Sequence, residues 1–360
     1  MARTEDYHLG EFGFARGWFA VANSNDVGRK PMPIHYFGQD MVLYRGETGR
    51  VVMLDAYCPH MGTHLASGAS SATVNAPTHM EGDNIRCPFH GWRFGPDGLC
   101  NNIPYREGPI PRAARVKSWA VEERYDIVFA WHDPEGLEPD FELVEFPEWH
   151  DPEFVRWCGL EYLTDLKHPI EILDNLSDVR HLSLLHGTDV VSYENQYEGH
   201  VLYQRQRAGT GSDDNSLFGS TLTTYSRYVG PGTLAVHYVE LQTCEIICVT
   251  PIDDGTCRMW QTAMVKRLDG MDEAVAQEYR DTVSAQFGKG LLDDAEIWAT
   301  KRPATAIMQL PEDGPFRQSR TWYSQFYNPR PKAAEIAMRI SGTYYAKGMP
   351  GFDAEGPIAA

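Results

Sequence analysis

Long apolar runs are missing from this 360-residue chain. None approaches the roughly 18 residues that crossing a bilayer requires, so no membrane span is expected. Positive charge is scarce as well. Thirty-two Lys and Arg face 50 Asp and Glu, a formal net charge of −18, which argues against the basic face a nucleic-acid partner needs. The opening MARTEDYHLGEFGF lacks the apolar stretch of a secretory signal. Seven cysteines, odd in number and without a regular framework, do not fit a disulfide scaffold, and a reducing, cytoplasmic setting is expected. No G-x-G-x-x-G follows a strand candidate, so flavin or nicotinamide would belong to another protein.

What is present reads as two segments of different character. The first third is β-like. MVLYRGETGRVVMLDAY (41–57) has two apolar, β-branched runs around a Gly-containing loop, and YDIVFAWHD (125–133) is a further strand. A stretch rich in Pro and acid, 133–154, marks a linker or domain edge. Beyond it, 168–187 is helical in pattern, strands are expected at 217–229, 233–251 and 256–266, and a helix runs from about Met271 to Trp298. The second segment is therefore α+β.

Two short motifs carry metal-ligand chemistry. CPHMG supplies Cys58 and His60; CPFHG supplies Cys87 and His90. A structural zinc on two cysteines and two histidines is chemically sound. In zinc fingers, however, one pair holds both cysteines and the other both histidines. Here each pair is mixed, as a Rieske [2Fe–2S] cluster requires, because each loop then gives one ligand to each iron. Both metals stay open at this point. His64 and His79 lie between the pairs and are expected to be exposed loop residues. Cys244, Cys248 and Cys257 are expected in strands, with no histidine or carboxylate at ligand spacing.

A second constellation lies further on. His181 and His186 are five apart, about 140° around a regular helix, so they meet only at a helix end or bulge, which Gly187 marks. Asp178 precedes His181 by three, where a carboxylate on the same face can receive the imidazole N–H. Asn175, three before Asp178, is in phase with it. Non-haem Fe(II) sites use two histidines and one carboxylate. LLDDAEIW offers Asp293, Asp294 and Glu296. Asp294 shares the stripe of Leu291 and Trp298, and an acid on a buried face must be paired or bound to metal.

Together these residues resemble the Rieske non-haem iron oxygenases, and within them the terminal oxygenase subunits of the 3-ketosteroid 9α-hydroxylase branch. The likeness runs from about Ala15 to Tyr327 through LDAYCPHMG, IRCPFHGWRF, CNNIPY, WHDPEG, DNLSDVRHLSLLH, EGHV, EIWATK, and EDGP followed by WYSQFY. It implies an all-β Rieske domain over 15–134 and a helix-grip catalytic domain over 135–360. It implies a [2Fe–2S] cluster on Cys58, His60, Cys87 and His90, and mononuclear Fe(II) on His181, His186 and Asp294. It implies a head-to-tail homotrimer in which Asp178 links His181 to His90 of the partner subunit, with Asn175 near the iron. O2, an apolar steroid-like substrate and a separate flavin/iron–sulfur reductase, with or without a ferredoxin, complete the expected system. Two features depart from the family pattern. Twenty-six residues separate His60 from Cys87, a longer insert than is usual, centred on ASSATVNAPTHM (69–80), and LSLL (182–185) stands where steroid hydroxylases tend to be aromatic.

Three other readings use part of the same residues. Dihydroxylation, desaturation or demethylation would need the same metals. A Rieske electron carrier would need no second triad. A zinc-stabilised binding protein would be colourless, whereas a Rieske protein is red-brown.

Overall fold

The structure is a computed structural model and describes residues 3–76, 79–210, 221–349 and 351–352. It divides into two compact units, Ala20–His132 and Met1–Phe19 with Asp133–Ala360. The sequence assigns residues 15–134 to one domain, and the structure sets Ala15–Phe19 with the second unit. The chain's start is held there by Glu11 and Phe12 N–H, which both donate to the Tyr327 carbonyl at 2.8 and 3.0 Å.

Ten strands supply the all-β part: β1 (Gly17–Asn23), β2 (Met32–Tyr36), β3 (Gln39–Arg45), β4 (Val51–Asp55), β5 (Met80–Glu81), β6 (Asn84–Arg86), β7 (Arg93–Phe94), β8 (Cys100–Asn102), β9 (Val121–Arg124) and β10 (Ile127–His132). They form three small sheets, ordered β1-β10-β9, β2-β3-β4 and β5-β6-β7-β8. The expected hairpin is β3–β4, in register from Met41↔Asp55 to Arg45↔Val51. Val42, Leu54, Leu65, Ile85 and Phe94 pack into one core that also encloses Cys58 and Cys87. Both ligand loops therefore leave the same apolar centre. One short helix, α1 (Ala72–Asn75), lies in the insert; Pro77 and Thr78 of that insert are outside the described residues.

The second unit is one antiparallel sheet with helices. Its strands are β11 (Phe154–Val155), β12 (Glu161–Leu166), β13 (Thr188–Glu198), β14 (Val201–Thr210), β15 (Thr221–Val229), β16 (Thr233–Tyr238), β17 (Thr243–Asp253), β18 (Thr256–Lys266) and β19 (Gly342–Tyr344). The order is β11-β18-β17-β16-β15-β14-β13-β19, with β12 also on β18. Its helices are α2 (Ile170–Ser177), α3 (Val179–Leu185), α4 (Glu273–Thr300), α5 (Phe316–Ser324) and α6 (Arg330–Ile340).

Three expectations change. The helical stretch 168–187 is two helices, because Asp178 is extended (φ −90°, ψ 99°) and caps α3. The single strand 233–251 is the β16–β17 hairpin, turned with Gln242 at φ 45°; residues 217–220 of the strand before it lie outside the described residues. Strands β13 and β14 were not expected at all. β14 alternates Gln204 and Gln206 with Tyr203, Arg205 and Arg207, so it shows no hydrophobic period from which a strand could be read.

The long helix α4 crosses β18 and β12 without interruption. The Asp272 carboxylate accepts from Val275 N–H at its start. Lys167 Nζ donates to the carbonyls of Ala299 and Lys301, each at 3.0 Å, at its end. Gly288 faces Gln261, where a Cβ would come within 3.2 Å of Oε1, whereas nothing lies within 4 Å of a Cβ on Gly290. Gly314 of the EDGP motif is tighter still, since its Cβ would fall 1.4 Å from the Ser177 carbonyl oxygen. Gly314→Ala is expected to destabilise the chain by at least about 1–3 kcal/mol through overpacking against backbone. Gly290→Ala is expected to stabilise it by up to about 1 kcal/mol through helix propensity. Denaturant unfolding of both variants checks this; equal midpoints would contradict the close approach at Ser177.

Candidate metal centres

The two Cys/His loops are built alike. Cys58 N–H donates to Thr63 O and Gly62 N–H returns to Cys58 O, both at 2.9 Å. Cys87 N–H donates to Trp92 O at 2.7 Å and Gly91 N–H returns to Cys87 O at 3.0 Å. Gly62 and Gly91 both sit at φ 71°, a left-handed turn that explains the glycine four residues after each cysteine. Each loop buries its sulfur and carries its imidazole outward: His60 is exposed and His90 half-buried.

The loops face one another. The thiols of Cys58 and Cys87 lie close enough to act on one another: their interaction pushes Cys87 down, helped by the N–H groups of Phe89 and His90, and pushes Cys58 up. The His60 and His90 rings lie 4.7 Å apart, and Trp92 stacks on His60 at 4.6 Å. Sulfur thus meets sulfur and imidazole meets imidazole. Among the described residues, no three of these four donors come within 4.8 Å of one another. That spread, with a sulfur pair at one end and an imidazole pair at the other, fits two irons sharing sulfide better than one tetrahedral zinc.

His64 and His79 have other partners. His64 Nδ1 accepts from Ala66 N–H at 3.1 Å. His79 is buried, not exposed as expected, with Nε2 3.1 Å from Leu65 O. It is buried because the insert folds back on the unit. Ser71 caps α1 and donates its hydroxyl at 2.6 Å to the carbonyl of Pro88, inside the second ligand loop.

In the second unit, His181, His186 and Asp294 converge. Their ligand atoms all lie within 4.8 Å of one another. Asp294 Oδ1 is 3.2 Å from His186 Nε2 and 3.9 Å from His181 Nε2. The five-residue spacing is met at a helix end, since His181 is in α3, His186 is its C-cap and Gly187 follows at φ 64°. Asp294 is only 4% exposed on α4, whereas Asp293 and Glu296 face solvent. Asn175, on α2, donates from Nδ2 to Asp294 Oδ2 at 3.1 Å, so Oδ1 is the oxygen left to the histidines.

Asp178 touches His181 in a way the helical spacing did not suggest. His181 Nδ1–H donates to the Asp178 main-chain carbonyl at 2.6 Å, while the carboxylate accepts Arg180 and His181 N–H. A carbonyl only accepts, so Nδ1 carries the proton and the Nε2 lone pair points at Asp294. Burial lowers the His181 pKa; the hydrogen bond to Asp294 raises that of His186. The first favours a neutral nitrogen donor at His181; the second favours a proton on His186, which a cation bound beside Asp294 would displace.

The groups that hold α2 and α3 in place are buried too. Arg320 clamps Asp174 by two bonds of 2.9 and 2.5 Å, and Ser177 Oγ joins Ser319 Oγ and Tyr197 OH in a chain of 2.5 and 2.6 Å bonds. Beside the triad opens a cavity of about 440 Å³, within the range of small-molecule sites. Leu182 and Leu185 line it. Leu184 does not and is 91% exposed, so only part of LSLL shapes the pocket. Leu222, Leu234, Val236 and Ile247 add apolar wall, and Gln206, Thr224, Tyr238 and Glu245 add polar groups. Glu245 is fully enclosed. Burial pushes its carboxyl up to about 7, and Tyr238 OH donates to it at 2.8 Å. None of these strand residues was singled out from sequence: Gln206 lies on β14, which lacks a strand's hydrophobic alternation, and the others lie on expected strand segments whose cavity-facing side only the folded sheet defines.

Comparison with known proteins agrees with this geometry. Residues 17–120 match the Rieske [2Fe-2S] domain, and residues 130–327 match the 3-Ketosteroid 9alpha-hydroxylase C-terminal domain. A 3-ketosteroid-9-alpha-monooxygenase, oxygenase component, of Mycolicibacterium smegmatis is 33% identical over 87% of this chain and 82% of its own length. A cholesterol 7-desaturase of Hemicentrotus pulcherrimus is 29% identical over 88% and 70%. Among solved structures, dicamba monooxygenase bound to dicamba shares the fold, with TM-score 0.64, 17% identity and coverage of 90% of this chain and 97% of that one. The paired Cys/His loops, the two-histidine-one-carboxylate triad and these matches lead to one conclusion: the chain is an oxidoreductase with a [2Fe–2S] cluster and a mononuclear iron, and it belongs to the Rieske oxygenases with the 3-ketosteroid 9α-hydroxylase type of C-terminal domain.

Proposed function

We propose that this chain hydroxylates a steroid, or a polycyclic and largely apolar molecule of similar size. O2 and electrons from a separate flavin/iron–sulfur reductase, with or without a ferredoxin, are its co-reactants. One oxygen atom enters a C–H bond and the other leaves as water, taking up two electrons and two protons. The observation that carries the reading is the triad His181, His186 and Asp294 at the edge of a cavity with an apolar wall. An electron carrier has no use for either. The steroid class rests on the relatives' names and on the extent of the likeness.

On this reading Cys58 and Cys87 hold one iron of the cluster, His60 and His90 the other, and His181, His186 and Asp294 hold Fe(II). When bound, the cluster passes single electrons and the Fe(II) activates O2 beside the substrate. The chain's own residues do the positioning. Asp178 fixes the His181 tautomer through its carbonyl, and Asn175 orients the Asp294 carboxylate. The apolar wall excludes water, and Tyr238 with Glu245 offers hydrogen bonds that fix a polar substituent. The Asp178 carboxylate is 35% exposed, free for the role assigned to it in a head-to-tail homotrimer, linking His181 to His90 of the partner subunit. A cytoplasmic enzyme of lipid degradation fits this scheme. Desaturation is the second reading, favoured by the similarity to a cholesterol 7-desaturase, and it needs the same metals.

Three outcomes test the proposal. Asp294→Ala is expected to lose the mononuclear iron and keep the cluster, and Asp293→Ala to keep both, as read by iron content and the EPR of the reduced cluster. The reverse pattern would contradict the choice of Asp294. Asp178→Asn is expected to keep both metals yet slow single turnover by about 10–100-fold or more, the range for groups that orient metal ligands. Unchanged single-turnover rates, or a fully active monomer, would remove Asp178 from the electron route. Turnover with a matched reductase is expected on 3-ketosteroids or bile-acid-like steroids, giving hydroxylated products; hydroxylation of small aromatic acids alone would reject the steroid class and keep the oxygenase.

A further inference from the structure

The sheet has a second face, opposite the cavity, and it carries another group of metal-ligand type. Tyr238, Glu245 and Ile247 point into the cavity. By the two-residue alternation of strands, His237 and Cys244 point the other way. They are direct cross-strand partners in the β16–β17 register, which brings their side chains together. The sequence spacing of Cys244 gave no sign of this, because its histidine comes from the neighbouring strand.

The third member arrives from outside the sheet. Glu148 lies in the short 3-10 helix Pro147–His150, on the segment leading into β11. That helix is anchored, because Trp149 packs on Trp157 at 5.2 Å and Phe146 meets the same ring at 5.4 Å. Glu148 Oε1 lies 3.8 Å from His237 Nδ1. The donor atoms of Glu148, His237 and Cys244 all come within 4.8 Å of one another. Apart from the iron triad, this is the one such group among the described residues.

A second observation points the same way. Glu148 Oε2 is buried and has no hydrogen-bond partner. A buried carboxylate oxygen left in this way needs a proton donor or a cation. Cys244 is buried with its thiol unpaired to any other cysteine, and His237 is half-buried, open to solvent on one side. Arg227 is near enough for its charge to act on both His237 and Cys244. Burial and the neighbouring Glu148 carboxylate push the Cys244 thiol up, so it is neutral until a cation displaces its proton. The thiolate and carboxylate then supply two negative charges against the one positive charge of Arg227, which favours a divalent cation.

We propose that Glu148, His237 and Cys244 form a binding site for one divalent zinc-class cation, separate from both iron centres. One sulfur, one imidazole nitrogen and one carboxylate oxygen make a borderline-soft set that suits Zn²⁺. Tetrahedral zinc with bonds of about 2.1 Å holds N and O ligands about 3.4 Å apart, so the 3.8 Å gap closes by a few tenths of an ångström. The solvent side of His237 leaves the fourth position to water.

The test is zinc stoichiometry on the iron-loaded, full-length protein, equilibrated with zinc and desalted, with iron content measured on the same samples. The expected result is one zinc per chain, lost in His237→Ala and in Cys244→Ser and bound at least tenfold more weakly by Glu148→Gln. His181→Ala keeps this zinc, which separates the site from the triad, and Cys158→Ser, at an exposed cysteine, keeps it too. Retained cluster EPR in every variant, and retained mononuclear iron in all but His181→Ala, show that each is folded. If Cys244→Ser does not fold, the half-exposed His237→Ala decides the matter alone. No zinc above the buffer control in the wild type, or zinc unaffected by His237→Ala, overturns the proposal.

Discussion

A carboxylate buried on a helix is the constraint on which the catalytic unit depends. Asp294 is enclosed on α4, and removing the partners of such a charge costs about 3–5 kcal/mol. Its partners come from two other elements: Asn175 on α2 and the two histidines of α3. None of these side chains is satisfied unless α2, α3 and α4 dock together. The outer anchors follow the same logic. Lys167 caps the end of α4, Lys301 returns to Glu171 on α2, and Arg320 holds Asp174. A metal ion in place of the shared proton would strengthen this arrangement without changing its design.

The break at Asp178 is the second feature on which the site turns. A continuous helix would place the two histidines about 140° apart. Ending α2 at Ser177 and starting α3 with an extended Asp178 frees the Asp178 carbonyl, which then accepts the His181 N–H. One residue therefore serves three purposes: its carboxylate caps the new helix, its carbonyl sets a tautomer, and its remaining oxygen reaches solvent. Gly314 lies directly against the Ser177 carbonyl at this break, which accounts for a glycine in the EDGP motif.

Features set by short-range pattern were legible in the sequence. The paired Cys/His loops could be read because turn, ligand and glycine lie within five residues of one another. The burial of Asp294 over Asp293 and Glu296 could be read because a helix repeats regularly, and α4 runs on through Gly288 and Gly290. What depended on pairing between distant segments was not legible. β14 turns Gln204 and Gln206 toward the cavity and alternates them with Tyr203, Arg205 and Arg207, and β13 buries Ser192, Glu194 and Asn195 among its apolar residues, so both lack the hydrophobic alternation that marks a strand. The burial of His79 depends on how the insert folds back, and the meeting of Glu148, His237 and Cys244 depends on strand register.

The central claim is that one chain holds two kinds of iron, a cluster on mixed Cys/His pairs and a single ion on two histidines and a carboxylate. Anomalous diffraction from crystals of the purified protein, collected on both sides of the iron absorption edge, tests it directly. Two separate iron features per chain are predicted, one between the loops of Cys58–His60 and Cys87–His90 and one touching His181, His186 and Asp294. A single zinc between the loops, or no metal at the triad in protein that turns over substrate, would contradict the account.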